Sequence, residues 1–330
     1  MKKIIIVLFV FCFLVTGCFK NQQSTIVNDF EKKLSNMKGY QVEGELSVHN
    51  NDDVYNYLVK VSYKKDNFYR VEFTNTSNQH TQIILKNKEG VYVLTPSLNK
   101  SFRFQSEWPY KNSQIYLIDA LFRDIIEDKD RKFEQKKNNF IFTTKVNYPN
   151  NNKLYSEKIV LDSKFRPSKV SVYDDKGIPK MVMEFKKVTY NPKFSKDTFD
   201  VDSIMELRED EKIEEAGVLE DIIYPLFLPS GTKLVHEDIV KKNNGERVIM
   251  TYDGEKSFVL VEENADVFDQ FTVIPTSGEP YLLMDSLGII TDNSLSWTSS
   301  GVDYYMVSDV MSQEEMIEVA QSIGGTISIK

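Results

Sequence analysis

Short segments of alternating apolar and polar residues, separated by turn residues, recur over the first 190 residues of this chain. Alternation with a period of two indicates half-buried strands, and turns at intervals of about 8–12 residues are typical of an antiparallel meander. The predicted strands are Gln41–His49, Val54–Lys64, Asn67–Thr74, Gln79–Lys86, Gly90–Thr95, Lys100–Gln105, Phe140–Asn147, Leu154–Asp162, Ser168–Tyr173 and Pro179–Tyr190. This pattern restricts the first part of the chain to one large antiparallel sheet.

Two helices are predicted beside these strands. The first has apolar residues at helical spacing from Ile26 to Met37 and ends at Gly39, and the second covers Asn112–Glu127 with one apolar stripe. A curved sheet with both helices on one face buries both stripes, so we predict a half-barrel.

A second, smaller α+β unit is predicted after the charged segment Glu206–Glu215. Its strands are expected at Arg247–Tyr252, Ser257–Glu262, Gln270–Pro275, Pro280–Asp285, Leu295–Thr298 and Val302–Val307. Ser312 and Glu315 predict a capping box at the start of a final helix. The predicted divisions are a signal peptide over 1–17, a lipidated tether over 18–25, a sheet domain over 26–205, an acidic linker over 206–220 and the small domain over 221–330.

The net charge of −8 conceals two oppositely charged parts. Residues 1–206 carry 33 basic and 25 acidic side chains, whereas residues 207–330 carry 8 basic and 24 acidic ones. An acidic chain with no long basic run argues against general nucleic-acid binding. The basic first part would be attracted to an anionic membrane or wall polymer, although abundant lysine is also an ordinary surface feature.

The N-terminal sequence predicts export and a lipid anchor. Lys2 and Lys3 precede the apolar run Ile4–Val15, which is too short for a comfortable membrane span and typical of a signal peptide. Val15-Thr16-Gly17-Cys18 resembles a bacterial lipobox, which implies cleavage before Cys18 and attachment of a diacylglycerol to its sulfur. Palmitate is the acyl group expected in this lipid anchor. The alternative is an ordinary signal peptide with an accidental cysteine.

No catalytic constellation is apparent in the sequence. Its three histidines, His49, His80 and His236, lie far apart, and neither a nucleophile elbow nor a phosphate-binding loop is present. Cys12 lies inside the predicted signal and Cys18 is the predicted anchor, so thiol catalysis and zinc–cysteine sites are not expected. We therefore predict a non-enzymatic protein without cofactor or metal.

Aromatic side chains are the remaining candidates for a binding surface. Tyr55 and Tyr57 point to one face of their strand, as do Phe102 and Phe104 of theirs. Three interpretations stay open: an apolar cavity for an acyl chain, a core packed against the helices, or a partner surface.

The order of these elements resembles the LolA-like and RseB-like lipoproteins, and more closely the YdcC-type and GerS-type sporulation and germination lipoproteins of spore-forming Firmicutes. The N-terminal resemblance covers about Ile26–Ser203. Tyr224-Pro225-Leu226-Phe227-Leu228-Pro229-Ser230-Gly231 and the run from Trp297 to Ala320 resemble the entry and exit of a small domain of unknown function found in such lipoproteins.

The resemblance implies a lipid-anchored protein on the outer face of the cell membrane. Its expected role is to bind an envelope partner, such as a cortex amidase, during sporulation or germination. The alternative is a lipid or lipoprotein carrier or sensor that holds an acyl chain in the cavity of the N-terminal sheet.

Overall fold

The computed structural model describes residues 23–50, 53–109, 112–213, 219, 221–242 and 245–323. These residues form an α+β protein of two large open sheets and few helices, as predicted. No helix in the described ranges is long and apolar enough to cross a membrane. The predicted signal peptide and Cys18 lie outside the described residues.

The first sheet contains the predicted meander. Its strands are β1 (Gly39–Asn50), β2 (Asp53–Lys64), β3 (Phe68–Asn75), β4 (Thr81–Lys86), β5 (Val91–Thr95), β6 (Lys100–Phe104), β7 (Lys132–Lys136), β8 (Asn139–Lys145), β9 (Leu154–Asp162), β10 (Pro167–Asp174) and β11 (Pro179–Tyr190). They lie in the order β6-β5-β4-β3-β2-β1-β11-β10-β9-β8-β7, and each neighbouring pair is antiparallel. The long strand β1 therefore joins the two halves of the meander at the centre.

Helices α1 (residues 23–36) and α2 (Ile118–Glu127) pack on one face of this sheet, as predicted. The Phe30 ring of α1 lies 5.2 Å from that of Phe122 in α2 and 5.4 Å from that of Phe142 in β8, measured between centroids. The prediction that α2 begins at Asn112 was wrong. The Ser113 N–H donates to the Asn147 carbonyl oxygen at 2.8 Å, so this backbone bonds across to another loop rather than along a helix.

Two elements of the first half were missed because their sequences carry little apolar pattern. β7 is an edge strand in which Phe133 is the single apolar residue. Helix α3 (Val201–Glu206) has only six residues, and Asp200 caps it by accepting the Ser203 N–H. It packs on the opposite face of the sheet from α1 and α2, against alternate residues of β4 and β5. All five residues of β5 are buried, because the core beneath α1 and α2 covers one face of this strand and α3 covers the other.

The second sheet has seven strands. They are β12 (Lys233–Lys242), β13 (Gly245–Asp253), β14 (Phe258–Asn264), β16 (Glu279–Leu282), β17 (Leu287–Ile290), β18 (Ser294–Ser299) and β19 (Val302–Val307), in the order β12-β13-β14-β19-β18-β17-β16. Helix α4 (Gln313–Gln321) packs its apolar face on this sheet, and the predicted capping box of Ser312 and Glu315 is present. β12 and β17 were not predicted.

The second half of the chain also contributes to the first sheet. β15 (Thr272–Thr276), expected as a strand of the second unit, instead lies at the free edge of β6 and pairs with it in parallel. Met284, Leu287 and Ile289 belong to the first hydrophobic core. The two sheets are therefore joined by shared backbone pairing and shared core packing.

Candidate functional site

A cleft of about 400 Å³ lies where the second unit meets one end of the first sheet. The first half supplies apolar walls from strand ends and loops, including Val48, Ile115 and Leu154. The second half supplies Leu282 and Met284 from the segment that begins with β16. Neither half forms this cleft alone, and its volume falls within the range of small-ligand sites.

Polar contacts join the two halves at the cleft and beside it. Lys153 forms an ion pair with Glu318 of α4, and Asn50 Nδ2 donates to the Gln321 carbonyl oxygen at 3.3 Å. Asn150 Nδ2 donates to Glu279 Oε1 at 2.7 Å. These contacts hold α4 and β16 against the end of the first sheet.

Two buried carboxyl groups lie close behind the cleft wall at Tyr148. Glu157 on β9 accepts a hydrogen bond from Thr144 Oγ1 at 3.1 Å, and Asp124 of α2 is its neighbour. Burial raises the pKa of Asp124, and burial together with the Asp124 charge raises the pKa of Glu157 well above its ordinary value. Burial disfavours the charged form of both groups, and the nearby Arg123 charge offsets this only partly for Asp124, so ionising one carboxyl group makes ionising the other less favourable.

The four aromatic residues singled out in the sequence lie on the core face of the first sheet and do not line this cleft. Tyr57 is 2% exposed and Phe104 is fully buried, while Tyr55 and Phe102 pack against the same core. Tyr57 Oη donates to the Met284 carbonyl oxygen at 2.7 Å, which ties the sheet to the second unit.

Sequence reasoning missed the cleft because its walls come from strand ends that are distant in the chain. One available clue was the apolar run Tyr281-Leu282-Leu283-Met284, which does not alternate and so indicates burial on both sides. Its partner, the end of the first sheet, could not be identified without the topology.

A second candidate surface is the outer edge of β12. β12 terminates the second sheet, and within the described residues no strand pairs with its outer side. Its aliphatic side chains are between 37% and 53% exposed: Leu234, Val235, Ile239 and Val240. The preceding segment adds exposed apolar residues, with Leu226 at 70%, and Tyr224 Oη donates to Glu237 Oε2 at 2.7 Å. We call β12 together with residues 223–227 the apolar edge.

The histidines are not grouped. His49 lies at the cleft and His80 in a separate small pocket, whereas His236 contacts Asp238 at 2.9 Å on β12. Among the residues that the structure describes, no three His, Cys, Asp or Glu side chains are placed to hold a metal ion.

Sequence comparison with known proteins finds a matching family model and a relative that is similar over nearly the whole chain. The family model described as "Sporulation protein YdcC-like" matches residues 1–199. The sporulation protein YdcC of Bacillus subtilis is 37% identical over 318 residues, which cover 96% of this chain and 94% of that protein.

Solved structures are more distant. The MucA/MucB complex of Pseudomonas aeruginosa includes a chain with 13% identity and a TM-score of 0.34, at 90% coverage of this chain and 97% of that one. A chain from the complex of the CwlD amidase with the GerS lipoprotein, from Clostridioides difficile, has 17% identity and a TM-score of 0.23, at coverages of 52% and 95%. These likenesses are too loose to carry a functional argument.

Proposed function

The chain belongs to the YdcC-like family of sporulation proteins, and we propose that it is a membrane-anchored, non-enzymatic envelope protein that acts in sporulation by binding a protein partner. The relative from Bacillus subtilis, similar over nearly its whole length, supports the role in sporulation. The lipobox-like sequence at Cys18 supports the anchor.

The apolar edge is the observation that carries partner binding. The free edges of the first sheet are β7, which has three charged side chains, and β15, which contains Pro275; both have only five residues. Short, charged or proline-containing edges resist strand addition. β12 has ten residues, twice as many as β7 or β15. Five of the ten are charged, but four others are exposed aliphatic residues, so an extended segment of a partner can hydrogen-bond to the β12 backbone and cover them.

A spore-formation assay tests this surface. Ile239→Lys and Val240→Lys place charge on the apolar edge and should lower the number of heat-resistant spores while leaving protein abundance unchanged. Tyr305→Lys is the matched control, because Tyr305 is 46% exposed on β19, a strand with neighbours on both sides. Normal sporulation with the β12 variants would exclude the apolar edge as the functional surface.

The anchor is tested separately by Cys18→Ala. This substitution removes the acylated sulfur, so the protein should move from the membrane fraction to the soluble fraction. If it stays membrane-bound after processing, the lipoprotein assignment is wrong.

A second function, carriage or sensing of an acyl chain, is favoured by the apolar cleft. The first sheet is filled by its own aromatic core, so a ligand would lie in the cleft beside Leu282 and Met284. Native mass spectrometry of the purified full chain should then show a bound lipid that Met284→Trp displaces. An empty protein in both forms would eliminate the carrier function.

A further inference from the structure

Four segments meet at the end of the first sheet that lies farthest from the second unit. They are the end of α1 with residues 37–38, the β2–β3 turn, the β9–β10 turn and the chain just after β11. The Lys65 N–H donates to the Lys38 carbonyl oxygen at 2.9 Å, and the Asn191 N–H donates to the Gly39 carbonyl oxygen at 2.8 Å. Lys33 Nζ donates to the Lys164 carbonyl oxygen at 2.6 Å, which joins α1 to the β9–β10 turn. These bonds make the four segments one continuous surface.

This surface is strongly cationic. The acidic residues on this surface are Asp29, Glu31, Asp66 and Asp162. The cations, which define what we call the basic end, are Lys32, Lys33, Lys38, Lys64, Lys65, Lys164, Arg166 and Lys193. All of them are exposed except Lys33, which is half-buried.

Most of these cations are not neutralised by neighbouring carboxylates. Arg166 pairs with Asp162 at 2.7 Å, and Lys32 lies 3.9 Å from Asp29. Within the described residues, no carboxylate lies within ion-pair distance of the remaining six, including Lys38, Lys164 and Lys193. The lysines of the outer face of the sheet differ, because Lys145, Lys169 and Lys187 each pair with a carboxylate at 3.0, 3.3 and 2.9 Å.

Apart from β15, which lies along the β6 edge, the acidic second unit lies at the other end of these strands. Asn50, at the end of β1, and Asn75, at the end of β3, both donate side-chain hydrogen bonds to its backbone. At about 3.4 Å per residue, the 12 residues of β1 separate the two ends by roughly 40 Å. This is several Debye lengths at physiological salt, so the acidic unit does not neutralise the basic end.

We propose that the basic end docks onto the surface of an anionic lipid bilayer. Positive residues close to an anionic surface are attracted to it, and the five exposed cations without a carboxylate partner, which exclude half-buried Lys33, can orient the molecule with its acidic unit away from the membrane. An alternative explanation is that lysines near the C-terminal end of α1 stabilise the helix dipole. This explains the positions of Lys32 and Lys33 but not those of the lysines in the other three segments. The inference rests on the proposed location at a membrane, yet it does not require Cys18.

Vesicle sedimentation tests the docking. We would use the chain from residue 23 to its end, which retains every described element, with phosphatidylcholine vesicles containing 30% phosphatidylglycerol. The variant Lys38→Gln, Lys164→Gln, Lys193→Gln removes three unpaired charges and should weaken binding at least tenfold. The control variant Lys145→Gln, Lys169→Gln, Lys187→Gln removes three paired charges and should change binding less than threefold. Thermal unfolding followed by circular dichroism verifies that all forms are folded.

Three results would overturn the proposal. They are absence of binding to the anionic vesicles, equal binding to pure phosphatidylcholine vesicles, and equal loss of binding by both triple variants. Binding to soluble polyphosphate without binding to vesicles would assign the basic end to an anionic polymer and likewise contradict bilayer docking. Because the Cys18→Ala fractionation uses a different part of the chain, failure of the anchor and failure of the basic end are distinguishable.

Discussion

Glu262 is a buried carboxyl group beneath the apolar edge, and its substitution gives a quantitative test of the structure. Glu262 is fully buried on β14. It lies on the same buried face of the strand as the apolar residues Phe258 and Leu260. Glu262 Oε2 accepts the Ile223 N–H at 3.0 Å, which holds the start of residues 223–227 on the sheet. Burial raises the pKa of Glu262 to about 7. The hydrogen bond from the Ile223 N–H acts in the opposite direction and lowers this pKa, whereas the negative charge of Glu237 raises it further.

The free energy of unfolding depends on pH because the pKa of Glu262 differs between the folded and unfolded states. An acid whose pKa is higher in the folded state stabilises the fold fully below its unfolded pKa of about 4.3, and this stability is lost as the pH rises towards 7. At about 1.4 kcal/mol for each pH unit, the loss between pH 4.5 and pH 8 is at most about 3 kcal/mol. Glu262→Gln keeps an acceptor for Ile223 but cannot ionise, so this part of the pH dependence should disappear.

Urea unfolding of wild type and Glu262→Gln at pH 5 and pH 8 measures this difference. We expect the variant to be more stable than wild type by about 3 kcal/mol at pH 8 and by only about 1 kcal/mol at pH 5. The neighbouring Glu263→Gln is the control. Burial acts to raise the pKa of Glu263, but hydrogen bonds from Arg247 and Lys242 hold it below its ordinary value, so its substitution should not stabilise at pH 8. Parallel pH profiles for wild type and Glu262→Gln would refute the burial of Glu262.

Three further predictions are tested by urea unfolding; the first two concern the packing of the two halves and the third concerns the cap of α4. Lys100→Met leaves Asp303 without the cation that lies 3.1 Å away and should cost about 3 kcal/mol, whereas Lys187→Met on an exposed pair should cost less than about 1 kcal/mol. Met284→Ala opens a cavity in the shared core and should cost about 3 kcal/mol; a cost below about 1 kcal/mol would mean that Met284 is not packed there. Ser312→Ala should cost about 1 kcal/mol by removing the cap of α4, and no change would contradict the capping box.

The spacing of apolar and polar residues along the chain was sufficient to predict strands and helices that bury one face and expose the other. Val42, Leu46 and Val48 alternate with polar residues along β1, and this period of two was sufficient to place the strand. Likewise, Ser312 and Glu315 identified the start of α4, because the capping box is made within one turn. Predictions of this kind need no knowledge of distant residues.

The parts that were missed depend on contacts between distant segments. β12 is exposed along both faces and therefore has no alternation to detect, and β7 contains a single apolar residue. The pairing of β15 with β6 joins Ile274 to Phe102, more than 170 residues apart, and no local pattern specifies that choice. The cleft and the apolar edge both arise from such long-range placement, so sequence reasoning focused on the aromatic core face instead.

Site-specific photo-crosslinking in sporulating cells tests partner binding at the apolar edge most directly. A photoreactive amino acid would replace Val240 on β12 or, as the control, exposed Lys145 on the first sheet. We expect one discrete adduct with an envelope protein from position 240, absent from position 145 and lost when Ile239→Lys is added. No adduct from position 240, or the same adduct from both positions, would contradict partner binding at the apolar edge.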